Sequence, residues 1–94
     1  MKKLDSQQRK RLVELVNERL RNSNVRDIAK LVECSFGYIS EIASGSKEKI
    51  PVGNALSICM GLGISPYYVL EGELPKYMDW RETLHQNLVM EEDW

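Results

Sequence analysis

The sequence has little of the chemistry that enzymes and metal sites require. It contains one histidine, His85, and two cysteines, Cys34 and Cys59, in 94 residues. A single histidine with no cysteine or carboxylate at ligand spacing is poor equipment for metal binding or for acid–base catalysis. No Ser/His/Asp, Cys/His or paired-carboxylate arrangement is recognisable, and no glycine-rich phosphate-binding loop is present. We therefore expect no enzyme activity, no metal and no cofactor.

Long apolar runs are also missing. No segment approaches the ~20 apolar residues that cross a bilayer, and the basic N-terminus lacks the apolar centre of a signal peptide. The two cysteines lie in apolar patterns and form no CxxC pair, which is typical of reduced, buried thiols. These features predict a cytoplasmic protein. An apolar content of 43% with 29% charged residues excludes wholesale disorder, and 94 residues make one small domain.

Charge is distributed unevenly along the chain. Residues 1–50 hold eleven Lys/Arg and seven Asp/Glu, or +4, and residues 51–94 hold two and seven, or −5, which together give the net charge of −1. The basic half suits contact with phosphates. The alternative is an uneven solvated surface. For the N-terminal basic residues Lys2, Lys3, Arg9, Lys10 and Arg11, a solvated helix face and an arm along DNA both stay open.

Apolar spacing predicts five helices between residues 6 and 71 and no strand. The first runs from about Ser6 to Arg21, and Asp5 with Gln8 forms a capping-box pattern. The residues expected to face the core are Leu12, Leu15, Val16, Leu20, Val25, Ile28, Ala29, Val32, Ile39, Ile42, Val52, Ala55, Leu56, Cys59, Leu62, Tyr67, Val69 and Leu70.

Cap residues mark the other helix boundaries. Asn24, Ser35 and Ser65 are good N-caps, and Pro51 and Pro66 suit a first turn. Glycines able to take the left-handed conformation predict the ends of three helices, at Gly45, Gly63 and Gly72. Ile64 is expected to fold back as the hydrophobic contact of a C-cap.

The segment NVRDIAKLVECSFGYISEIASG, residues 24–45, is the most informative part of the chain. It predicts two short amphipathic helices joined by a tight turn at Glu33-Cys34, with the small Ala29 where the helices cross. Such a pair is rigid, and its second helix can lie in the major groove of DNA. Ile39 and Ile42 are expected to face inward in that helix.

Residues 73–94 differ in character from residues 1–72, which we predict to form the domain proper. Pro75 separates the two, and the acidic extension carries an apolar stripe. We predict a sixth helix from about Lys76 to Val89 and a dimer or partner contact through four residues: Tyr77, Trp80, Leu84 and Leu88. Packing on the chain's own domain, pairing with a second copy and docking on another protein all stay open.

These motifs resemble the phage-repressor-type (lambda-repressor-like) helix-turn-helix family, over residues 9–72. The resemblance rests on VRDIAKLVECSFGYISEIASGS and IPVGNALSICMGLGISPYYVLEGE. Members typically show an Ile/Leu-Ala pair in the second helix, Ser-x-x-Tyr-Ile-Ser-x-Ile in the third, a following glycine, and a Leu-Gly-Ile/Val-Ser-Pro-like string before a short last helix. The resemblance implies an all-α, five-helix fold, which in this chain is followed by a C-terminal extension.

The resemblance also implies a set of DNA-contacting positions. The family's base-facing positions correspond to Phe36, Gly37, Ser40 and Glu41, with Tyr38 beside them. Phosphate-contacting positions correspond to the loop residues Ser44, Lys47 and Lys49 and to the start of the second helix at Asn24, Val25 and Arg26.

Two functions from different classes follow. The first is a small DNA-binding transcriptional regulator, of bacterial or phage repressor type, which binds a palindromic operator as a homodimer and takes no small-molecule ligand. The second is a helix-turn-helix module repurposed for protein–protein interaction with another regulator. The second is favoured by the aromatic, acid-bearing face Phe36-Tyr38-Glu41 and by the acidic tail. The sequence also departs from the family pattern: the outer face of the third helix has no Arg, Lys, Asn or Gln for bidentate base contacts, and Glu33 and Val25 stand where the family often has glycine and glutamine.

Overall fold

The structure, a computed structural model, describes residues 2–79. It contains five α-helices: α1 Ser6–Leu20, α2 Val25–Leu31, α3 Phe36–Ser44, α4 Val52–Leu62 and α5 Pro66–Glu71. The only extended pairing among these residues consists of two isolated bridges, Lys3 with Pro51 and Ile64 with Tyr77. The predicted all-α class and the five helices are confirmed. None of the helices in this range is both long and apolar enough to cross a membrane.

The predicted caps form. The Asp5 carboxylate accepts from the Gln8 N–H at 2.8 Å and the Gln8 side chain accepts from the Asp5 N–H at 2.9 Å, so that the capping box of α1 is complete. The side chains of Asn24, Ser35 and Ser65 each accept a hydrogen bond from a backbone N–H of the helix that follows. The three predicted C-terminal glycines are all left-handed: Gly45, Gly63 and Gly72.

The core lies between α1 and the other four helices. Its buried residues are Leu4, Leu12, Leu15, Val16, Ile28, Ala29, Val32, Ile39, Ile42, Ile50, Ala55, Ile58, Cys59, Leu62, Ile64 and Val69. Ile64 is fully buried, and its N–H donates to the Cys59 carbonyl at 2.9 Å, as the predicted C-cap requires.

Two predicted core positions are wrong. On α4, Ile58 is fully buried although the pattern did not place it in the core, and Leu56 is only half-buried. Apolar residues occupy so many positions of α4 that periodicity does not define one face. On α5 Tyr67 is 59% exposed, whereas Tyr68 packs against the core and donates to Glu14 of α1 at 2.6 Å. That bond directs the Tyr68 side of α5 toward α1.

Residues 2–4 run antiparallel to residues 50–52, a pairing that the helix pattern did not predict. The Leu4 N–H donates to the Ile50 carbonyl at 2.9 Å, and the Val52 N–H donates to the Lys2 carbonyl at 3.0 Å. Leu4 and Ile50 are both buried. The N-terminal segment is therefore fastened to the chain between α3 and α4.

Residues 76–78 pair with residues 63–65, so the sixth helix does not begin at Lys76 as predicted. The Ser65 N–H donates to the Lys76 carbonyl at 2.9 Å, and the Met78 N–H donates to the Gly63 carbonyl at 2.8 Å. These two bonds hold the backbone extended, which is incompatible with a helix over residues 76–79. The rest of the predicted helix, with Trp80, Leu84 and Leu88, lies outside the described residues.

Candidate functional site

The connection between α2 and α3 holds α3 in a fixed position. The Cys34 N–H donates to the Ala29 carbonyl at 2.9 Å, and Ser35 caps α3 by accepting from the Tyr38 N–H at 3.1 Å. Glu33 takes a left-handed φ of 59°, the conformation that turns the chain between the helices. Ala29 is buried at the crossing, as its small size predicts. The connection therefore sets the direction in which the outer face of α3 points.

The outer face of α3 carries few charges. Ile39 and Ile42 are fully buried, while Phe36 is 59% exposed. Gly37 and Glu41 are also exposed, and Ser40 is half-buried. The four predicted base-facing positions thus lie on the solvent side of α3. Their chemistry is an aromatic ring, a hydroxyl and one carboxylate.

A small network ties α3 to the loop and to α4. Lys47 Nζ lies 3.3 Å from a carboxylate oxygen of Glu41 and 5.1 Å from the centre of the Tyr38 ring. The Tyr38 hydroxyl accepts from Asn54 Nδ2 of α4 at 3.0 Å, and Tyr38 is half-buried against the core. Tyr38 therefore braces α3 against α4, a role that the sequence pattern did not distinguish from a DNA contact.

The loop after α3 folds back onto the end of that helix. The Glu41 carbonyl accepts from the N–H of Ser46 at 3.1 Å and of Lys47 at 3.2 Å. The Ser44 hydroxyl donates to the same carbonyl at 3.1 Å and lies 2.9 Å from the Ser46 hydroxyl. Lys49 is exposed. Of the three predicted loop residues, two are thus engaged within the protein and Lys49 points to solvent.

Basic residues from the N-terminal segment converge on this loop. Lys2 and Lys3 are exposed and belong to the segment that pairs with residues 50–52. Arg9 Nη1 donates to the Glu48 carbonyl at 2.6 Å. We call the resulting surface the basic edge and define it by Lys2, Lys3, Arg9, Lys47 and Lys49. The sequence contains these residues in two clusters, which are brought together by the pairing of residues 2–4 with residues 50–52 and by the bond from Arg9 to Glu48.

The three predicted positions at the start of α2 differ in whether their side chains are available for contact with DNA. Asn24 is occupied as a cap, since its side chain accepts from the Asp27 N–H at 2.9 Å and donates to the Asp27 carboxylate at 3.1 Å. Val25 packs against the core, and Arg26 is exposed. Together with Phe36, these residues line an open depression between the starts of α2 and α3. Arg26 is the cation that this depression presents.

A second surface feature was not predicted from the sequence. Leu31 is 61% exposed and Met60 is 51% exposed, and both line an open depression between the end of α2 and α4. Cys34 lies in its wall, and burial raises the pKa of the Cys34 thiol. The second cysteine, Cys59, is buried, and both are free thiols, as predicted. The chain thus presents two exposed apolar side chains, Leu31 and Met60, in a depression that Glu33, Asn54 and Ser57 also line.

The one described residue of the predicted dimer or partner contact, Tyr77, lies against α1. Its hydroxyl donates to the Glu18 carboxylate, and the Arg19 guanidinium lies over its ring, 4.4 Å from the centroid. Burial and the bond to Glu18 raise the pKa of Tyr77 to about 12. The ring is still 36% exposed. Tyr77 therefore packs on its own domain with part of its ring left accessible.

No protein-family model, curated protein or solved structure matches this chain. Within residues 2–79, no three histidine, cysteine or acidic side chains lie together in a way that could hold a metal ion. The surfaces of residues 2–79 that suit contact with a partner are the exposed positions of α3, the basic edge and the depression of Leu31 and Met60.

Proposed function

We propose that the protein is a DNA-binding transcriptional regulator and that α2 and α3 act as its helix-turn-helix. The observation that carries the proposal is the basic edge. The pairing of residues 2–4 with residues 50–52 sets Lys3 opposite Pro51, so that it lies close to Lys49 at the end of the loop that follows α3. A groove-reading helix requires cations beside it, because phosphates border the groove on both sides.

The remaining geometry is compatible with entry of α3 into the major groove. Phe36, Gly37 and Glu41 on the outer face of α3 are exposed. The helix is anchored at its start by the Ser35 cap and at its end by the folded-back loop. Arg26, which lines a depression together with Phe36 at the start of α3, offers a further cation. In this arrangement, phosphate contacts supply most of the affinity, and the α3 side chains select among sequences.

A homodimer on a palindromic operator is the expected active form. One α3 per subunit would enter successive major grooves about one helical turn apart, roughly 34 Å. The proposed contact between the subunits consists of Trp80, Leu84 and Leu88. In sedimentation experiments we expect Trp80→Ala to shift the balance from dimer to monomer, and an unchanged mass at matched concentration would exclude this contact.

A protein-interaction module is the second candidate function. It is favoured by the 59% exposure of Phe36 on α3 and by the apolar depression of Leu31 and Met60. Aromatic residues and methionine are enriched at protein interfaces. In this alternative the basic edge would contribute only to solubility.

Selection from a pool of random-sequence duplexes at two salt concentrations tests the proposal. We expect enrichment of a palindrome, with an affinity that falls steeply as salt rises. Lys3→Gln and Lys49→Gln should each weaken binding to all sequences alike and reduce the salt slope by about 1. Lys76→Gln is the matched control, because Lys76 pairs with Glu14 on the α1–α5 side of the molecule. Absence of binding at low salt would overturn the proposal and favour the protein-interaction module.

A further inference from the structure

We propose that Glu41, held by Lys47, is the residue of α3 that selects a cytosine in the operator. The inference rests on the proposed function and names a base preference within it. It starts from an apparent contradiction: the face of α3 that would enter the groove carries a carboxylate, and a carboxylate is repelled by phosphates. The ion pair of Glu41 with Lys47 resolves that contradiction.

Lys47 is fixed beside Glu41 by three separate contacts. Its N–H donates to the Glu41 carbonyl at 3.2 Å, its ammonium lies 3.3 Å from the Glu41 carboxylate, and the same ammonium lies 5.1 Å from the centre of the Tyr38 ring. Tyr38 is in turn held by Asn54 at 3.0 Å. The Lys47 side chain is 32% exposed and that of Glu41 is 54% exposed. Of the two paired side chains, that of Glu41 is therefore the more exposed.

This arrangement compensates the negative charge while the carboxylate oxygens stay accessible from the solvent side. A carboxylate has only acceptors, and in the major groove the base that offers a donor without an adjacent acceptor on the same base is cytosine, through its N4 amino group. Adenine also offers an amino group, but its N7 acceptor lies beside it and suits an amide rather than a carboxylate. Glu41 thus favours cytosine.

Phe36 adds a second base preference to this prediction. It begins α3 and is 59% exposed. In the major groove, an exposed phenylalanine suits contact with the methyl group of thymine. The half-site should therefore contain a thymine in addition to the cytosine.

The experiment is selection from random-sequence duplexes with three forms of the full chain: the unchanged protein, Glu41→Gln and Glu48→Gln. We expect the unchanged protein to select cytosine at one half-site position and Glu41→Gln to select adenine there, because glutamine pairs with adenine N6 and N7. The change in preference should be about tenfold or more. Glu48→Gln removes the same charge from an exposed residue of the loop, and its selected site should be unchanged.

A double-mutant cycle tests the role of Lys47. Lys47→Met keeps the stem over Tyr38 and removes the charge. When Glu41 is present, we expect Lys47→Met to weaken DNA binding about tenfold, because the negative charge of Glu41 is then no longer balanced. In the Glu41→Gln background we expect the same substitution to weaken binding about threefold or less. If Lys47→Met lowered the affinity for DNA equally in both backgrounds, Lys47 would be a phosphate contact that acts independently of Glu41, and its proposed role would be overturned.

The failures of the two proposals are distinguishable. An enriched palindrome that is the same for the unchanged protein and Glu41→Gln, or one without cytosine at the altered position, overturns the assignment of Glu41 and leaves the proposed DNA binding intact. Absence of any salt-dependent binding by the unchanged protein overturns the DNA-binding function and this inference with it.

Discussion

A Cβ atom at Gly61 of α4 would lie 2.6 Å from Cγ1 of Val32, at the end of α2. The two helices meet closely here, because the same Cβ would also lie 3.2 Å from the backbone Cα of Val32, so that moving the Val32 side chain alone does not remove the overlap. We predict that Gly61→Ala lowers the free energy of unfolding by about 1–3 kcal/mol, the usual cost of overpacking. Urea unfolding followed by circular dichroism measures it.

Gly53 is the matched control on the same helix. A Cβ there would meet nothing within 4 Å, so Gly53→Ala should leave stability unchanged or raise it by up to ~1 kcal/mol, because alanine favours helix more than glycine does. If both substitutions had the same effect, the close approach of α2 and α4 would not be what requires Gly61.

The left-handed residue of the α2–α3 connection predicts a stabilising substitution. Glu33 has a φ of 59°, which glycine adopts without the steric cost that other residues bear. Glu33→Gly should therefore raise the unfolding free energy by about 1 kcal/mol or less, since the added freedom of the unfolded chain offsets part of the gain. Lys30→Gly, at an exposed helical position of α2, should instead lower it by ~1 kcal/mol. Thermal unfolding compares the two variants directly. If Glu33→Gly also lowered the unfolding free energy, the left-handed conformation would not be a source of strain at Glu33.

The helices and their ends were predictable because local chemistry determines them. Asp5, Asn24, Ser35 and Ser65 cap through bonds to residues three positions on, which a sequence displays directly. Gly45 and its counterparts end helices for an equally local reason. The tightness of the α2–α3 connection followed from the same signals, although the positive φ falls on a glutamate.

The long-range pairings were not predictable in this way. Leu4 stands alone in a polar stretch, and nothing local relates it to Ile50, 46 positions later (50 − 4). The extended pairing of Lys76 with Ser65 overrode a helical spacing that was present in the sequence. For the same reason the basic edge, which joins two distant clusters of lysines, emerged only from the fold. On α3, by contrast, the outward face followed from periodicity alone.

The contact of Tyr77 with α1 predicts how the segment 76–78 is held. Tyr77→Phe keeps the ring beneath Arg19 and removes the bond to Glu18, while Tyr77→Ala removes both. We expect the free energy of unfolding to fall by ~0.5–1 kcal/mol in the phenylalanine variant and by about 1 kcal/mol more in the alanine variant.

Amide hydrogen exchange measures this effect at specific atoms. The N–H groups of Ser65 and Met78 bond across the pairing, so they should exchange faster in Tyr77→Ala. The Ile39 N–H, which bonds to Ser35 within the α3 cap, should not change. Equal acceleration at all three amides would indicate global destabilisation instead of local release.

Alkaline pH should destabilise the protein in a defined window. Burial raises the pKa of Cys59 from 9.0 to about 12, and burial with the bond to Glu18 raises the pKa of Tyr77 from 10.0 to about 12. The unfolded chain therefore loses these protons first. Their contribution to stability is complete below about pH 9 and is lost as the pH rises toward 12.

Denaturant midpoints measured across that window, at constant ionic strength, test the linkage. The double variant Cys59→Ala, Tyr77→Phe should be less stable than the unchanged protein at neutral pH. Its free energy of unfolding should fall less between pH 9 and 12 than that of the unchanged protein. Parallel curves for the two proteins would show that other groups produce the alkaline transition.

The bonding of Lys2 to Val52 has a practical consequence for anyone who purifies this protein. Any polypeptide fused ahead of Lys2 emerges next to Val52, at the start of α4. Under the proposed function, a histidine tag at that end would shield Lys2 and Lys3 from nucleic acid. Binding assays with and without cleavage of such a leader would then differ, even though the folded domain is identical in both.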